Sequence, residues 1–268
     1  MPEWIGINVL VKPATETDQR SAARLAQQLD LTLGSISESP ENHKTTRWIL
    51  ETSQQGLSLH RPDGVNLRAD FTDKQTTARQ NESGRHKQPL ARAIGIERLS
   101  VRLGRIPLVI DATGGLGRDA WFIASLGCQV TILERHPVLH ALLQDAHERA
   151  LKTEISHNIA TRLTLIHADA SDWLKSQSTP TADVIHLDPM YPDRRRRAAS
   201  KKGAQFLHAL AGSDIGNSHL LRNALARAGS RVVVKRPQGA PLLEGSEHWP
   251  GQRTQVDSPN TRYDIYHV

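Results

Sequence analysis

Short runs of Val, Ile and Leu recur through the second half of the chain, each bounded by glycine, proline or charged residues. These runs are residues 108–110, 129–133, 163–166, 182–187 and 231–235. Segments with apolar residues at helical spacing stand beside them, at residues 118–126, 137–150, 206–210 and 220–225. Apolar strands that alternate with helices are typical of a parallel sheet covered on both faces. The pattern therefore predicts an α/β fold with a mostly parallel sheet.

The first hundred residues are more polar, and their periodicity is weaker. Residues 4–11 have the composition of a short strand, and residues 17–29 carry apolar side chains at helical spacing. Residues 57–59 and 65–71 flank the sequence Arg-Pro-Asp-Gly at 61–64, which predicts a β-hairpin. We expect this part of the chain to form a small α+β unit.

A polar segment separates the two parts. Residues 72–88 are nearly all polar or charged, which predicts an exposed loop. We therefore expect an α+β appendage over residues 1–104 and a larger α/β domain over residues 105–268. The alternating segment 262–268 is expected to add an edge strand to the larger sheet.

Composition and charge narrow the class of protein. The 268 residues include 34 Lys and Arg against 28 Asp and Glu, and this net charge of +6 weakly favours a polyanionic partner. The single cysteine, Cys128, cannot form an internal disulfide, which fits a reducing compartment. No signal-peptide pattern opens the sequence and no apolar run could cross a bilayer, so we expect a cytoplasmic protein without a membrane partner.

A glycine-rich turn from Asp111 to Gly117 follows the first strand of the predicted α/β domain. In open α/β sheets, ligands lie beyond the carboxyl ends of the strands. Gly114 and Gly117 let the backbone approach a ligand closely, and the next helix offers unpaired N–H groups at the same place. The turn predicts a nucleotide-type cofactor site, although tight packing alone could explain the same glycines.

Acidic residues at three strand ends help to identify the cofactor. Asp111 suits the cationic amino group of S-adenosylmethionine and would repel a dinucleotide pyrophosphate. Glu134 would accept hydrogen bonds from ribose hydroxyls of either cofactor, and Asp169 is placed for an adenine amino group. We therefore predict S-adenosylmethionine as the cofactor. Two alternatives stay open: residues 115–120 nearly match the dinucleotide pattern of an NAD(P)-dependent oxidoreductase, and the aspartates could simply cap turns.

The tetrapeptide Asp188-Pro189-Met190-Tyr191 closes the fourth predicted strand. The Asp188 carboxylate and the Pro189 carbonyl can accept hydrogen bonds from an exocyclic amine, whose lone pair is otherwise delocalised into its ring. Pro189 stiffens the turn, and Tyr191 offers a flat face to a base. Such turns are also common without any function. Together with the upstream glycine turn, this one predicts methyl transfer to a base amine, with Asp188, Pro189 and Tyr191 as catalytic residues.

Basic residues cluster after this turn and at the end of the fifth strand. We predict that RNA phosphates are contacted by Arg194, Arg195, Arg196, Arg197, Lys201, Lys202, Lys235 and Arg236. The thirteen histidines show no metal-ligand spacing, so no metal is predicted, and His186 is interpreted as a core histidine. A protein that binds RNA without catalysing a reaction is a third alternative.

Four stretches resemble the bacterial ribosomal RNA small subunit methyltransferase J family. They read Asp-Ala-Thr-Gly-Gly-Leu-Gly-Arg-Asp-Ala at 111–120, Leu-Glu-Arg at 133–135, Leu-Asp-Pro-Met-Tyr-Pro at 187–192 and Val-Val-Val-Lys-Arg-Pro at 232–237. The resemblance implies a class I S-adenosylmethionine-dependent methyltransferase, Rossmann-like, with a final antiparallel strand. It also implies methyl transfer to N2 of a guanine near the 3′ end of 16S rRNA, either naked or in the small subunit.

The resemblance also implies individual cofactor contacts, carried over where the residues match. These are Arg118, Asp119, Glu134, Arg135, Asp169, Ala170 and Asp188. Asp188 thereby belongs to both the cofactor site and the substrate turn, so we expect the two sites to open onto one cleft.

Overall fold

The structure, a computed structural model, describes residues 9–37, 47–73, 84–189 and 217–268. Its strands form two sheets. The smaller sheet contains β1 (Val9–Pro13), β2 (Thr32–Leu33), β3 (Trp48–Ser53), β4 (Gly56–His60) and β5 (Asn66–Leu67). Their order is β2-β1-β3-β4-β5, and helix α1 (Gln19–Leu29) packs against β1.

The predicted hairpin and the first predicted helix are confirmed in this sheet. β4 and β5 are antiparallel, and the Arg61 N–H donates to the Val65 carbonyl at 2.9 Å across the turn. α1 matches the helix predicted for residues 17–29. β3 is not predicted from the sequence, and it pairs with β1 on one side and β4 on the other.

The larger sheet has seven strands and confirms the α/β prediction. It contains β6 (Leu108–Asp111), β7 (Gln129–Glu134), β8 (Leu163–His167), β9 (Ala182–Leu187), β10 (Ala228–Pro237), β11 (Arg253–Asp257) and β12 (Thr261–His267). Their order is β11-β12-β10-β9-β6-β7-β8, with β6 to β10 parallel and β12 antiparallel to both of its neighbours. One expectation is wrong: β12 does not lie at the edge, because β11 covers it.

Helices cover both faces of the larger sheet. The described helices that follow α1 are α2 (Pro89–Ile94), α3 (Ile96–Leu103), α4 (Arg118–Ser125), α5 (Pro137–Leu151), α6 (Glu154–Ala160), α7 (Ala170–Ser176) and α8 (Asn217–Arg227). One face packs against α4 and α5, and the other packs against α7 and α8. The helix predicted around residues 206–210 lies outside the described residues. In the ranges that the structure covers, no helix combines the length and apolarity needed to span a membrane.

A single hydrophobic cluster joins the two sheets. Phe71, which follows β5, stacks on Trp121 of α4 with ring centroids 4.5 Å apart and planes 2° apart. The same cluster includes residues of β1, β3 and β4 together with residues of α4 and α5. α2 contacts β10, β11 and β12, although it lies within the stretch expected to belong to the appendage. The smaller sheet is therefore packed onto the larger domain.

The carboxyl ends of β6 to β10 meet at one edge of the larger sheet, because these strands are parallel. The glycine turn, Glu134, Asp169 and Asp188 each follow or end one of these strands. The topology therefore brings the predicted cofactor and substrate residues to a single edge.

Candidate active site

The glycine turn is pressed closely against β7. The Gly114 N–H donates to the Leu133 carbonyl at 2.9 Å, and a Cβ placed at Gly114 would lie only 2.7 Å from Ile132 Cγ2. Gly117 has φ +70°, and a Cβ there would lie 2.7 Å from Leu143 Cδ2. Packing alone thus requires both glycines. It also sets the N-terminus of α4 at the edge where the strands end.

Glu134 supports this turn from the end of β7. Its two carboxylate oxygens accept the Gly115 N–H and the His136 N–H, each at 2.7 Å. Burial raises the pKa of Glu134 to about 7, against the opposing effect of these two backbone donors. A carboxylate can accept about four hydrogen bonds, so Glu134 keeps acceptor capacity for a hydroxyl.

Asp111 is buried beneath the turn and has an internal partner. Its Oδ1 accepts the Thr113 N–H at 3.2 Å and lies 3.4 Å from Nδ1 of the fully buried His186. Burial acts to lower the pKa of His186, but the hydrogen bond and charge of Asp111 raise it overall. The alternative that Asp111 caps its own turn is therefore supported by the hydrogen bond from the Thr113 N–H.

Asp188 is joined to the glycine turn by a hydrogen bond. Its N–H donates to Thr113 Oγ1 at 2.6 Å, so the substrate turn and the cofactor turn are in direct contact. The Asp188 side chain remains 40% exposed, whereas Pro189 is buried. Tyr191 lies outside the described residues.

Lys235 and Arg236 lie at the end of β10, but neither side chain extends freely into solvent. The Lys235 ammonium lies 2.8 Å from Asp188 Oδ2 and 2.7 Å from Asp119 Oδ2. Arg236 is only 4% exposed, and its guanidinium donates to the Pro241 carbonyl. The predicted phosphate contact of Arg236 is therefore corrected, since a buried guanidinium cannot reach RNA. Lys235 instead forms ion pairs with the Asp119 and Asp188 carboxylates.

The remaining predicted RNA contacts follow the substrate turn. Arg194, Arg195, Arg196, Arg197, Lys201 and Lys202 lie outside the described residues.

Asp169 is the N-cap residue of α7 and lies two residues after the end of β8. Its Oδ1 accepts the N–H groups of Ser171 and Asp172 at 2.9 and 3.1 Å, which is the capping role left open by the sequence. Its Oδ2 lies 3.9 Å from an Arg135 guanidinium nitrogen. Ala170 is the first residue of α7. Asp169 can therefore cap the helix with one oxygen and meet a ligand with the other.

Three features of the site could not be predicted from the sequence. They are the Thr113 hydroxyl that joins the two turns, the pair of Asp111 and His186, and the pairing of Lys235 with two carboxylates. The only signal for the second is that Asp111 ends β6 and lies opposite His186 near the end of β9, which requires the strand order. Together the residues bring carboxylates that can accept hydrogen bonds from hydroxyl groups to one edge of the sheet, which suits a cationic nucleoside. Within the described ranges, no three His, Cys, Asp or Glu residues come together as metal ligands do.

Comparison with known proteins agrees with this geometry. A family model described as a putative SAM-dependent methyltransferase matches residues 32–268. Ribosomal RNA small subunit methyltransferase J of Hydrogenovibrio crunogenus is 41% identical over 261 residues, covering 92% of this chain and 90% of that protein. The protein of the same name from Nitrosococcus oceani is 41% identical over 255 residues, covering 93% and 96%.

A solved structure gives the same result for the fold. A SAM-dependent methyltransferase from Neisseria gonorrhoeae has a TM-score of 0.70 and 29% sequence identity, and the match covers 97% of this chain and 95% of that one. The family match confirms the predicted enzyme class and cofactor and removes the oxidoreductase alternative. This chain belongs to the ribosomal RNA small subunit methyltransferase J family of S-adenosylmethionine-dependent methyltransferases.

Proposed function

We propose that this enzyme transfers a methyl group from S-adenosylmethionine to the exocyclic N2 of one guanine in 16S ribosomal RNA. The observation that carries the proposal is the 2.6 Å hydrogen bond from Asp188 N–H to Thr113 Oγ1, because it joins the substrate turn to the cofactor turn. The relatives named for small-subunit ribosomal RNA support the substrate. Work on ribosomal RNA would place the enzyme in the cytoplasm.

Asp188 and Pro189 would hold the amine. A guanine N2 is a weak nucleophile because its lone pair is delocalised, and hydrogen bonds from its NH₂ to the Asp188 carboxylate and the Pro189 carbonyl favour the geometry for attack. Tyr191 would stack on the base, a contact typically worth about 1–3 kcal/mol. When bound, S-adenosylmethionine supplies an electrophilic methyl group, so positioning by these residues contributes most of the rate.

The cofactor would bind at the carboxylates of Glu134, Asp169 and Asp111. Glu134 has acceptor capacity for ribose hydroxyls, and Asp169 Oδ2 is available for an adenine amino group. Asp111 would attract the cationic cofactor through its negative charge from beneath the glycine turn, because its carboxylate is buried. We also propose that the cofactor contacts Gly114, Gly117, Arg118, Asp119, Arg135 and Ala170.

RNA would be bound by the basic residues that follow the substrate turn. The basic residues 194–197, 201 and 202 follow the substrate turn directly, so their charges would meet phosphates on either side of the target nucleotide. We also propose that the smaller sheet contacts RNA. Because α2 packs on the larger sheet, we place the boundary of that appendage near Gly84 rather than at residue 104.

The test is methylation of 16S rRNA from a strain that lacks this gene, both naked and in 30S particles. The enzyme should place label from S-adenosylmethionine on one guanine, found as N2-methylguanosine by mass spectrometry of nuclease digests. D188N should lower the rate about 100-fold or more, because it removes the carboxylate that holds the amine. D172N alters a carboxylate that is 79% exposed on α7 and is the matched control, expected to match wild type. Label on a different base, or on neither substrate, contradicts the proposal.

A further inference from the structure

Lys235 links the two halves of the active site. Its ammonium lies 2.7 Å from Asp119 Oδ2, in the first turn of the helix after the glycine turn. It also lies 2.8 Å from Asp188 Oδ2, on the substrate turn. The Lys235 side chain is 27% exposed, so water has limited access to this three-membered cluster. One lysine thus bridges the cofactor helix and the residue that would hold the amine.

We propose that Lys235 is a positioning residue for methyl transfer, which holds Asp188 by Oδ2 and directs Oδ1 towards the amine. This inference rests on the proposed function. Asp188 is anchored twice, since Thr113 Oγ1 accepts its backbone N–H and Lys235 donates to its carboxylate. The two bonds fix the backbone and the side-chain rotation of Asp188 together. An acceptor fixed in advance loses little entropy when the substrate binds.

The charges around Lys235 give it a second effect. Asp111, Asp119 and Asp188 all act on the buried His186, which places three carboxylates in one region. Burial acts to lower the pKa of Lys235, but Asp188 and Asp119 raise it well above its ordinary value, with a contribution from Tyr263 on β12. Lys235 therefore stays protonated at neutral pH and offsets the repulsion between the Asp119 and Asp188 carboxylates.

The experiment compares K235M and K235R with wild type on 16S rRNA, measures kcat and the KM for RNA, and repeats K235M in the D188N background. K235M should lower kcat about 100-fold with little change in the KM for RNA. Combined with D188N it should cause little further loss, because Lys235 acts through Asp188. K235R keeps the charge and should recover part of the lost kcat. K175M removes a lysine that is 60% exposed on α7 and should behave like wild type.

Two results would overturn the inference. If K235M raises the KM for RNA and weakens its salt dependence while kcat is unchanged, Lys235 contacts phosphate instead. If K235M and D188N lower kcat independently, so that the double variant shows the product of the two losses, the lysine does not act through Asp188 and has a merely structural role. Circular dichroism checks folding, and K235Q replaces K235M in the same assays if that variant is unfolded. Wild-type product identity is measured first, so a failure of the proposed function is recognised separately.

Discussion

Glu134 and Asp188 are both carboxylates at strand ends, but their surroundings give them different chemistry. Glu134 is buried with two backbone donors, and burial raises its pKa to about 7. Asp188 is 40% exposed and ion-paired with Lys235. At neutral pH a substantial fraction of Glu134 therefore carries a proton in the ligand-free enzyme, whereas the Asp188 carboxylate is held by the Lys235 ammonium.

The raised pKa of Glu134 makes cofactor binding pH-dependent. Ribose hydroxyls donate hydrogen bonds best to the ionised carboxylate, so binding favours the form that has lost its proton. The Kd for S-adenosylmethionine should fall as pH rises from 6 to 8, by at most about tenfold per pH unit below the pKa. Isothermal titration calorimetry at three pH values measures this. The neighbouring His136 does not interfere, because burial lowers its pKa to about 4.

E134Q is the control for this pH dependence, because glutamine cannot ionise. Its Kd should be higher than that of wild type and nearly independent of pH. Any slope that remains reports ionisable groups other than Glu134. A wild-type Kd that does not change between pH 6 and 8 would exclude Glu134 as the ribose acceptor.

The position of a single residue in the site could be predicted from the sequence where that residue comes directly after an apolar run. Asp188 and Glu134 follow apolar runs directly, so their position at the ligand edge needs only the strand boundaries. The partners of Lys235 could not be predicted in the same way. They depend on β10 lying beside β9 and on the approach of α4, and neither appears in the local sequence.

At the scale of elements, Thr113 couples β6 to β9. Its hydroxyl accepts the Asp188 N–H at 2.6 Å, and it can donate to Asp111 Oδ1 at 3.4 Å. T113V keeps the shape of the side chain but removes the acceptor. It should cost about 1–3 kcal/mol of stability and also lower kcat, because the Asp188 N–H loses this partner. T113S retains the hydroxyl and should stay close to wild type.

Denaturant unfolding and methyl-transfer rates on the same preparations measure both effects. Equal stability and equal kcat in T113V and T113S would show that this hydrogen bond does not hold the two turns together.

Elements with a strong apolar signature could be predicted, and polar ones could not. β6 to β10 are rich in Val, Ile and Leu because helices cover both faces of the sheet. β11 reads Arg-Thr-Gln-Val-Asp, and its side chains are mostly exposed at the sheet edge, so its sequence resembles a loop. Missing β11 explains the error for β12, which shows the alternation of a strand but lies inside the sheet.

At the scale of the whole molecule, the smaller sheet supports the active site through Phe71. Its ring stacks on Trp121 of α4, and a Cβ placed at Gly117 would lie 2.9 Å from Phe71 Cζ. F71A should lower the free energy of unfolding by about 3–5 kcal/mol, as expected for a buried phenylalanine. It should also weaken cofactor binding, because the glycine turn loses its support.

Thermal unfolding and cofactor titration measure these effects, with F71L as the milder control. In wild type the shared core should unfold in one transition. Two separate transitions, with F71A moving only the lower one and leaving the cofactor Kd unchanged, would show that the two sheets are independent units.

The most direct measurement is a crystal structure of the enzyme with S-adenosylhomocysteine or an unreactive analogue of S-adenosylmethionine. We expect an adenosine held between Glu134 and Asp169, and a sulfur atom that faces the Asp188 carboxylate beside Lys235. Such a complex would place the methyl donor and the amine acceptor in one cleft. An analogue bound away from the 111–117 turn, or with its sulfur directed away from Asp188, would show that the two turns do not form one active site.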